Sequence, residues 1–172
     1  RVLTIPRKRT DRAVVSFLTR PETDALIAAP NTSTWHGQRD RTILILMTQT
    51  GLRVSETTAL TIGDLQLARP GAHINIAHGK GRKQRGIPIA TTTIGVLWDW
   101  LNEHPGQPGD PLFPSTHHTR LSRDAIGHLV AKHAGTAATA QPSIATKKVT
   151  PHTLRHTCAM ALLHAGVDTS VI

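Results

Sequence analysis

The segment TPHTLRH, residues 150–156, combines side chains that could bind a phosphate and move a proton. His152 and Arg155 are three residues apart near a predicted helix start, so both project from one face of that helix. A guanidinium forms bidentate hydrogen bonds with phosphate oxygens, and an imidazole exchanges protons near neutral pH. The unpaired N–H groups of the helix start add positive potential. The segment therefore predicts an anion site, although an amphipathic surface helix with incidental His and Arg is the alternative.

A second segment, TGLRVSE at residues 50–56, places an arginine beside a carboxylate. Arg53 follows Gly51, which is suited to ending one helix, and precedes a short predicted helix. Glu56 lies one turn later, where it can orient the guanidinium of Arg53 through a salt bridge. An ordinary ion pair at a helix start is the alternative interpretation.

A third segment is a predicted β-hairpin with a basic turn. Residues 72–77 and 84–89 alternate apolar with other side chains, and GKGRK lies between them. Lys80, between two glycines at the turn, could reach into a groove while the strands stay packed. A solubilising turn lysine is the alternative, and Lys83 or Arg85 could take the same role.

Helix signals position these segments in the first half of the chain. Residues 19–29 begin with the capping-box pattern TRPE and predict a helix, and a polar loop is predicted over residues 31–38. The apolar run at residues 43–47 fits a helix or a buried strand. We favour a helix because Gly51 stands where a C-terminal cap belongs. A short helix is predicted over residues 54–60.

Three more helices are predicted in the second half, separated by loops at residues 105–119 and 135–146, of which the second is expected to be mobile. One face of the first helix carries apolar residues at i, i+3, i+4 and i+7, namely Ile94, Leu97, Trp98 and Leu101, and Trp98 is expected in the core. Ser122 can cap the next, whose apolar face is Ile126, Leu129 and Val130. Thr150 as N-cap opens the last, whose predicted buried stripe is Leu154, Cys158, Ala161, Leu162 and Ala165.

The composition indicates a polyanionic partner. Twenty Lys and Arg against eleven Asp and Glu give a net charge of +9, which favours nucleic acid, although a solvated basic surface is also compatible. The single cysteine, Cys158, excludes an internal disulfide and is expected to be an inert core thiol in a reducing cytoplasm. No apolar run reaches the roughly 18 residues that a membrane span requires. Residues 1–18 are predicted to be a basic linker from an N-terminal DNA-binding domain.

Taken together in their order along the chain, the three segments resemble the tyrosine recombinase (phage integrase) family. TGLRVSE is similar to the segment with that family's first catalytic arginine, HGKGRKQRGIPI to its strand–turn–strand with a catalytic lysine, and TPHTLRH to its H-x-x-R box. The resemblance covers about residues 17–172. It implies a mainly α (α+β) fold, a helical catalytic domain with a small three-stranded antiparallel β-sheet.

The resemblance also implies the site and its partners. The catalytic residues would be Arg53, Lys80, His152 and Arg155. Glu56 would support them, as would His156, which we expect to be buried and hydrogen-bonded. Expected DNA contacts are Arg7, Lys8, Arg9, Arg82, Lys83, Lys147 and Lys148, the last two being solvated if they do not face phosphates. No metal or cofactor is implied, and the partner would be double-stranded DNA, with a homotetramer forming on it at full length.

In this family a tyrosine attacks a DNA phosphate, giving a 3′-phosphotyrosyl link and a free 5′-hydroxyl. The chain contains no tyrosine. We therefore expect residues 19–172 to be a catalytic domain whose nucleophile lies in a segment not present, and this fragment to be inactive. A non-catalytic duplex DNA-binding module, or an inactive integrase remnant, is the alternative. A metal site at His152 and His156 is a third hypothesis, weakened because the glutamate of H-E-x-x-H is missing.

Overall fold

The computed structural model describes residues 16–76 and 85–168, and it has the predicted mainly helical architecture. Its α-helices are α1 (Arg20–Ala28), α2 (Trp35–Thr50), α3 (Val54–Ala59), α4 (Thr91–Glu103), α5 (Arg123–Ala137) and α6 (Pro151–His164). Its strands are β1 (Leu65–Gln66), β2 (His73–Ile76) and β3 (Arg85–Pro88). They form one antiparallel sheet in the order β1-β2-β3, which confirms the predicted fold class. In the described part of the chain, no helix is long and apolar enough to cross a bilayer.

The apolar run at residues 43–47 is helical, as predicted, and lies at the centre of the core. All five of its side chains are buried, which explains why the run shows no amphipathic period. It belongs to α2, which packs against α1, α4 and α6. Gly51 ends this helix with a left-handed backbone, at φ 62°, and its N–H donates to the carbonyl of Met47. The predicted C-terminal cap is confirmed.

The start of α2 differs from the predicted loop over residues 31–38. The helix begins at Trp35, because the hydroxyl of Thr34 caps it by accepting a hydrogen bond from the N–H of Gly37 at 3.1 Å. Gly37 is a poor helix former, so the sequence did not indicate that a helix begins just before it. The loop is therefore shorter than expected.

The face of α4 that packs against the core also differs from the predicted face. Ile94 and Leu97 are buried as expected, but Trp98 is 48% exposed and Trp100 takes the buried place. The indole Nε1 of Trp100 donates to the carbonyl of Leu112 at 2.9 Å. Leu112 lies in the loop after α4. The spacing of residues within α4 therefore could not show which of the two indoles would find a hydrogen-bond partner in the core.

The predicted mobile loop at residues 135–146 is largely structured. Helix α5 continues to Ala137, and residues 142–146 form a 3-10 helix that buries Ile144. Ala134 and Ala137 are buried in the core. Because these small residues carry little apolar surface, the segment lacks a visible hydrophobic period although it packs.

The buried stripe of α6 is shorter than predicted. Leu154 and Cys158 are buried together with Thr153 and Thr157, so the buried positions end at residue 158. The other predicted core positions are exposed: Ala161, Leu162 and Ala165. Arg155 and Cys158 contact the end of α2, whereas residues 161–166 are exposed.

A buried charged cluster fastens α5 to the start of α2. Asp40 accepts hydrogen bonds from Arg39 at 2.8 Å and pairs with His133 Nε2 at 2.9 Å. Burial alone would raise the pKa of Asp40, but the hydrogen bonds from His133 and Arg39 outweigh burial and lower it. Arg39 also donates to the carbonyl of Pro114 at 3.0 Å. The loop after α4 is thereby attached to the same cluster.

We predict that Gly51→Ala lowers the free energy of unfolding by about 1–3 kcal/mol. A side chain there would adopt a left-handed conformation, and its Cβ would lie 3.3 Å from Cys158 Sγ. Gly95→Ala, in an exposed turn of α4 where a Cβ meets nothing within 4 Å, is the matched control and should be neutral or stabilising by up to about 1 kcal/mol. Urea denaturation of both variants measures the difference, and equal stabilities would contradict the prediction.

Candidate active site

The N-terminus of α6 has the geometry that the sequence predicted. Thr150 is its N-cap, and the Thr150 hydroxyl accepts from the N–H of Thr153 at 3.3 Å while the Thr153 hydroxyl accepts from the N–H of Thr150 at 3.1 Å. Pro151 occupies the first helical turn. His152 is exposed and Arg155 is half-buried, one helical turn apart. The pair therefore lies at a capped helix start, where unpaired N–H groups favour an anion.

Helix α6 is fastened to the segment that carries Arg53. The Nη1 of Arg155 donates to the carbonyl oxygen of Gly51. One turn further along α6, the Cys158 thiol contacts the carbonyl of Gln49 at 3.4 Å. Two of the sequence segments singled out above, 104 residues apart, are thus in direct contact.

Arg53 and Glu56 form the predicted salt bridge at the start of α3. The Arg53 amide donates to Glu56 Oε2 at 2.8 Å, and Arg53 Nη1 donates to Oε1 at 3.1 Å. The Glu56 side chain is 5% exposed, whereas that of Arg53 is 55% exposed. A buried carboxylate therefore holds an arginine side chain that is more than half exposed.

Arg85 contacts the same carboxylate from β3, a contact that the sequence analysis missed. Its Nη2 lies 2.9 Å from Glu56 Oε1 and 3.0 Å from Oε2. Burial alone would raise the pKa of Glu56, but hydrogen bonds from the Arg53 amide and from Arg85 outweigh burial and lower it. The alternation of side chains along the strand could have indicated this contact, because it places Arg85 on the same face as Ile87, which packs against the core. An arginine on that face needs a carboxylate partner.

His156 differs from the buried, hydrogen-bonded support that we expected. It is half-buried, and its ring packs edge-on against Phe17 with the centroids 6.1 Å apart. Cys158 is buried as expected, and burial raises the pKa of its thiol. The thiol is therefore protonated at neutral pH, in keeping with an inert core cysteine.

Lys147 is neither solvated nor free to face a phosphate. Its Nζ donates to Glu22 Oε2 at 2.6 Å and to the carbonyl of Phe17 at 2.9 Å, and its side chain is only 23% exposed. Any phosphate contact by Lys147 would have to compete with this internal ion pair. Lys148 is exposed, so it remains a candidate DNA contact.

Several predicted site residues lie outside the described residues. Among them are the predicted catalytic lysine, Lys80, and the predicted DNA contacts Arg7, Lys8, Arg9, Arg82 and Lys83. Within residues 16–76 and 85–168, no three His, Cys, Asp or Glu side chains are grouped so that they could hold a metal ion.

The comparison with family models matches residues 16–172 to the phage integrase family. The chain belongs to this family of tyrosine recombinases. The integrase match covers all three segments that carried the resemblance. The mainly helical fold with a three-stranded sheet is therefore that of a tyrosine recombinase catalytic domain, as expected.

Relatives and a solved structure agree with this assignment. The protein named "Putative integrase/recombinase y4rC" of Sinorhizobium fredii is 51% identical over 174 residues, covering 100% of this chain and 51% of that protein. Tyrosine recombinase XerD of Pseudomonas aeruginosa is 37% identical over 160 residues, covering 90% and 51%. The crystal structure of XerH site-specific recombinase bound to difH substrate has the same fold, with a TM-score of 0.74 at 24% identity, covering 91% of this chain and 45% of that one. The chain spans about half the length of these relatives.

The ion pair of Glu22 with Lys147 generates a prediction about acid stability. Glu22 is buried, which alone would raise its pKa, but hydrogen bonds from Lys147, Thr19 and Ser143 lower it from 4.5 to about 2. A carboxyl whose pKa is lower in the folded state stabilises the fold above its unfolded pKa and loses that contribution as pH falls. The loss should amount to roughly 2–3 kcal/mol between pH 4.5 and about 2.

We predict that Glu22→Gln is much less stable than the wild type at pH 7, and that the difference shrinks by this amount as the pH is lowered through that window. Urea denaturation at a series of pH values measures it. Asp24→Asn, which removes an exposed carboxylate paired with Arg20 on the same helix, is the control and should not reproduce the loss. A constant difference between wild type and Glu22→Gln would contradict the assignment.

Proposed function

We propose that this chain is the catalytic region of a site-specific DNA recombinase that cleaves and rejoins DNA strands through a 3′-phosphotyrosyl intermediate. The observation that carries the proposal is the contact of Arg155 with the carbonyl of Gly51. It joins the capped start of α6 to the segment in which Glu56 holds Arg53. This contact supports a phosphate clamp in which two arginines from distant parts of the sequence take part.

The family resemblance suggests a role for each of the four residues. Arg53 and Arg155 would bind the non-bridging oxygens, where negative charge is concentrated in the transition state of phosphoryl transfer. Lys80 would protonate the departing 5′ oxygen, and His152 would donate to the phosphate or carry a proton. Rejoining reverses these steps on a partner strand, so the covalent link conserves the bond energy and no ATP is consumed.

The partner in this proposal is double-stranded DNA. The net charge of +9 favours a polyanion, and XerH, which has the same fold, was solved bound to its difH substrate. We further propose that the full-length protein acts as a homotetramer on DNA, in the cytoplasm. The basic stretch in residues 1–18 would link it to an N-terminal DNA-binding domain.

In this proposal the nucleophile comes from outside this sequence, which contains no tyrosine. We propose that a segment following the catalytic region supplies it, since the relatives are about twice as long as this chain. A second candidate, a duplex DNA-binding module or inactive integrase remnant, would need no nucleophile. Both candidates predict salt-dependent DNA binding, so only a test of cleavage separates them.

We predict that Arg53→Ala and Arg155→Ala each weaken binding of the 172-residue chain to duplex DNA by about 5- to 20-fold, the loss of one charge-assisted phosphate contact. Fluorescence anisotropy at several salt concentrations measures the affinity, and each variant should lower the salt slope by about one. Arg20→Ala, on α1 and already paired with Asp24, is the control for the loss of one charge. Thermal melts check that Arg155→Ala still folds.

We predict that appending a tyrosine-bearing C-terminal segment of XerD to this chain yields a covalent protein–DNA adduct on a nicked suicide substrate. Arg53→Ala, Arg155→Ala and Lys80→Ala should each lower adduct formation by about 100-fold or more, because each removes transition-state stabilisation or the general acid. Replacement of the appended tyrosine by phenylalanine is the control and should abolish the adduct. Cleavage at an undiminished rate in Arg53→Ala would reject the proposed roles, and binding with no adduct would favour the module or remnant.

A further inference from the structure

The Glu56 carboxylate is shared by two arginines from different elements. Arg53 contributes its amide and one guanidinium nitrogen from the start of α3, and Arg85 contributes Nη2 from β3. The carboxylate is 5% exposed, so it depends on these donors for the hydrogen bonds that water would otherwise make. The two arginines therefore share, and compete for, one buried acceptor.

The hydrogen bonds that Arg85 makes to Glu56 limit how the side chain of Arg53 can bind the same carboxylate. Nη2 of Arg85 contacts both carboxylate oxygens, and the Arg53 amide takes a further position on Oε2. The side chain of Arg53 then reaches Oε1 through Nη1 alone. Its Nε and Nη2 make no hydrogen bond with the described residues, and the side chain is 55% exposed. Two donor nitrogens of Arg53 thus remain available to an external anion.

The position of Arg85 is fixed by the sheet. It is the first residue of β3 and lies opposite Ile76, the last residue of β2. Its side chain is 39% exposed, less than that of Arg53, and it lies on the strand face that packs against the core. Arg85 is therefore the less exposed of the two cations that share Glu56.

We propose that Arg85 is a positioning residue for Arg53. By neutralising Glu56 from the sheet side, it keeps the carboxylate from drawing the whole Arg53 guanidinium into a bidentate pair. Without Arg85, Arg53 is the one cation that contacts the buried charge of Glu56 among the described residues, and its guanidinium turns towards the carboxylate and away from the phosphate. This inference rests on the proposed function only in naming the anion as a DNA phosphate.

The test compares Arg85→Gln with the conservative Arg85→Lys in the 172-residue chain. A single nitrogen of Arg85 makes both contacts, so a lysine ammonium can replace it. We expect Arg85→Gln to weaken duplex DNA binding by about 5- to 10-fold and Arg85→Lys to stay within about twofold of wild type. Arg69→Gln removes an exposed arginine from the loop between β1 and β2, and it is the matched charge control, expected within about twofold.

A double-mutant cycle with Arg53→Ala separates positioning from direct DNA contact. If Arg85 acts through Arg53, Arg85→Gln should change the affinity of the Arg53→Ala chain by less than about twofold. An undiminished loss in that background would show that Arg85 itself binds DNA and would overturn the proposal. Arg85→Met, which retains the apolar stem, replaces Arg85→Gln if the latter does not fold.

A readout without DNA keeps this inference distinct from the proposed function. In NMR spectra of the free chain, the backbone amide and Nε–H resonances of Arg53 should shift in Arg85→Gln and remain in place in Arg69→Gln. Unmoved resonances would overturn the positioning role. If the wild-type chain fails to bind duplex DNA, the recombinase proposal fails, while the Arg53 resonances still decide whether Arg85 positions that side chain.

Discussion

The contact between the first half of α6 and the end of α2 is the constraint on which the candidate site depends. Gly51 allows it, because its left-handed backbone turns the chain at the end of α2 and its missing side chain leaves room for Cys158. The carbonyl of Gly51 then accepts from Arg155. A helix end, with its unpaired carbonyl groups, is a natural place for such a bond. One glycine thus serves as helix cap, packing surface and hydrogen-bond acceptor.

Three buried carboxylates connect other elements of the fold through ion pairs. Glu22 joins α1 to Lys147, Asp40 joins α2 to α5, and Glu56 joins α3 to β3. In each case hydrogen bonds outweigh the cost of burial and lower the pKa. A buried charge without its partner is strongly destabilising, so these pairs specify how the elements meet. They also neutralise part of the basic surplus internally.

The remaining positive charge is therefore selectively placed. Lys147 and Arg39 are largely buried with internal partners, whereas Arg53, although paired with Glu56, keeps a side chain that is 55% exposed. The distinction cannot be made by counting charges, since a net charge of +9 includes cations of both kinds. Whether a cation is paired internally depends on whether a buried carboxylate lies next to it. An external anion would meet the cations that keep exposed donors, such as Arg53.

The sequence alone determined the local features: the caps at Gly51 and Thr150, the pair of Arg53 with Glu56, the hairpin strands and the family. The caps and the ion pair depend on residues within a few positions of one another, and the family is recognised from short motifs that are each local, so all of them leave a visible spacing. Only the tertiary structure decided that Trp100 rather than Trp98 is buried, that Lys147 pairs with Glu22, and that Arg85 shares Glu56 with Arg53. The partners in these contacts are distant in sequence. Their pairing is set by how whole helices and strands pack, which no short spacing records.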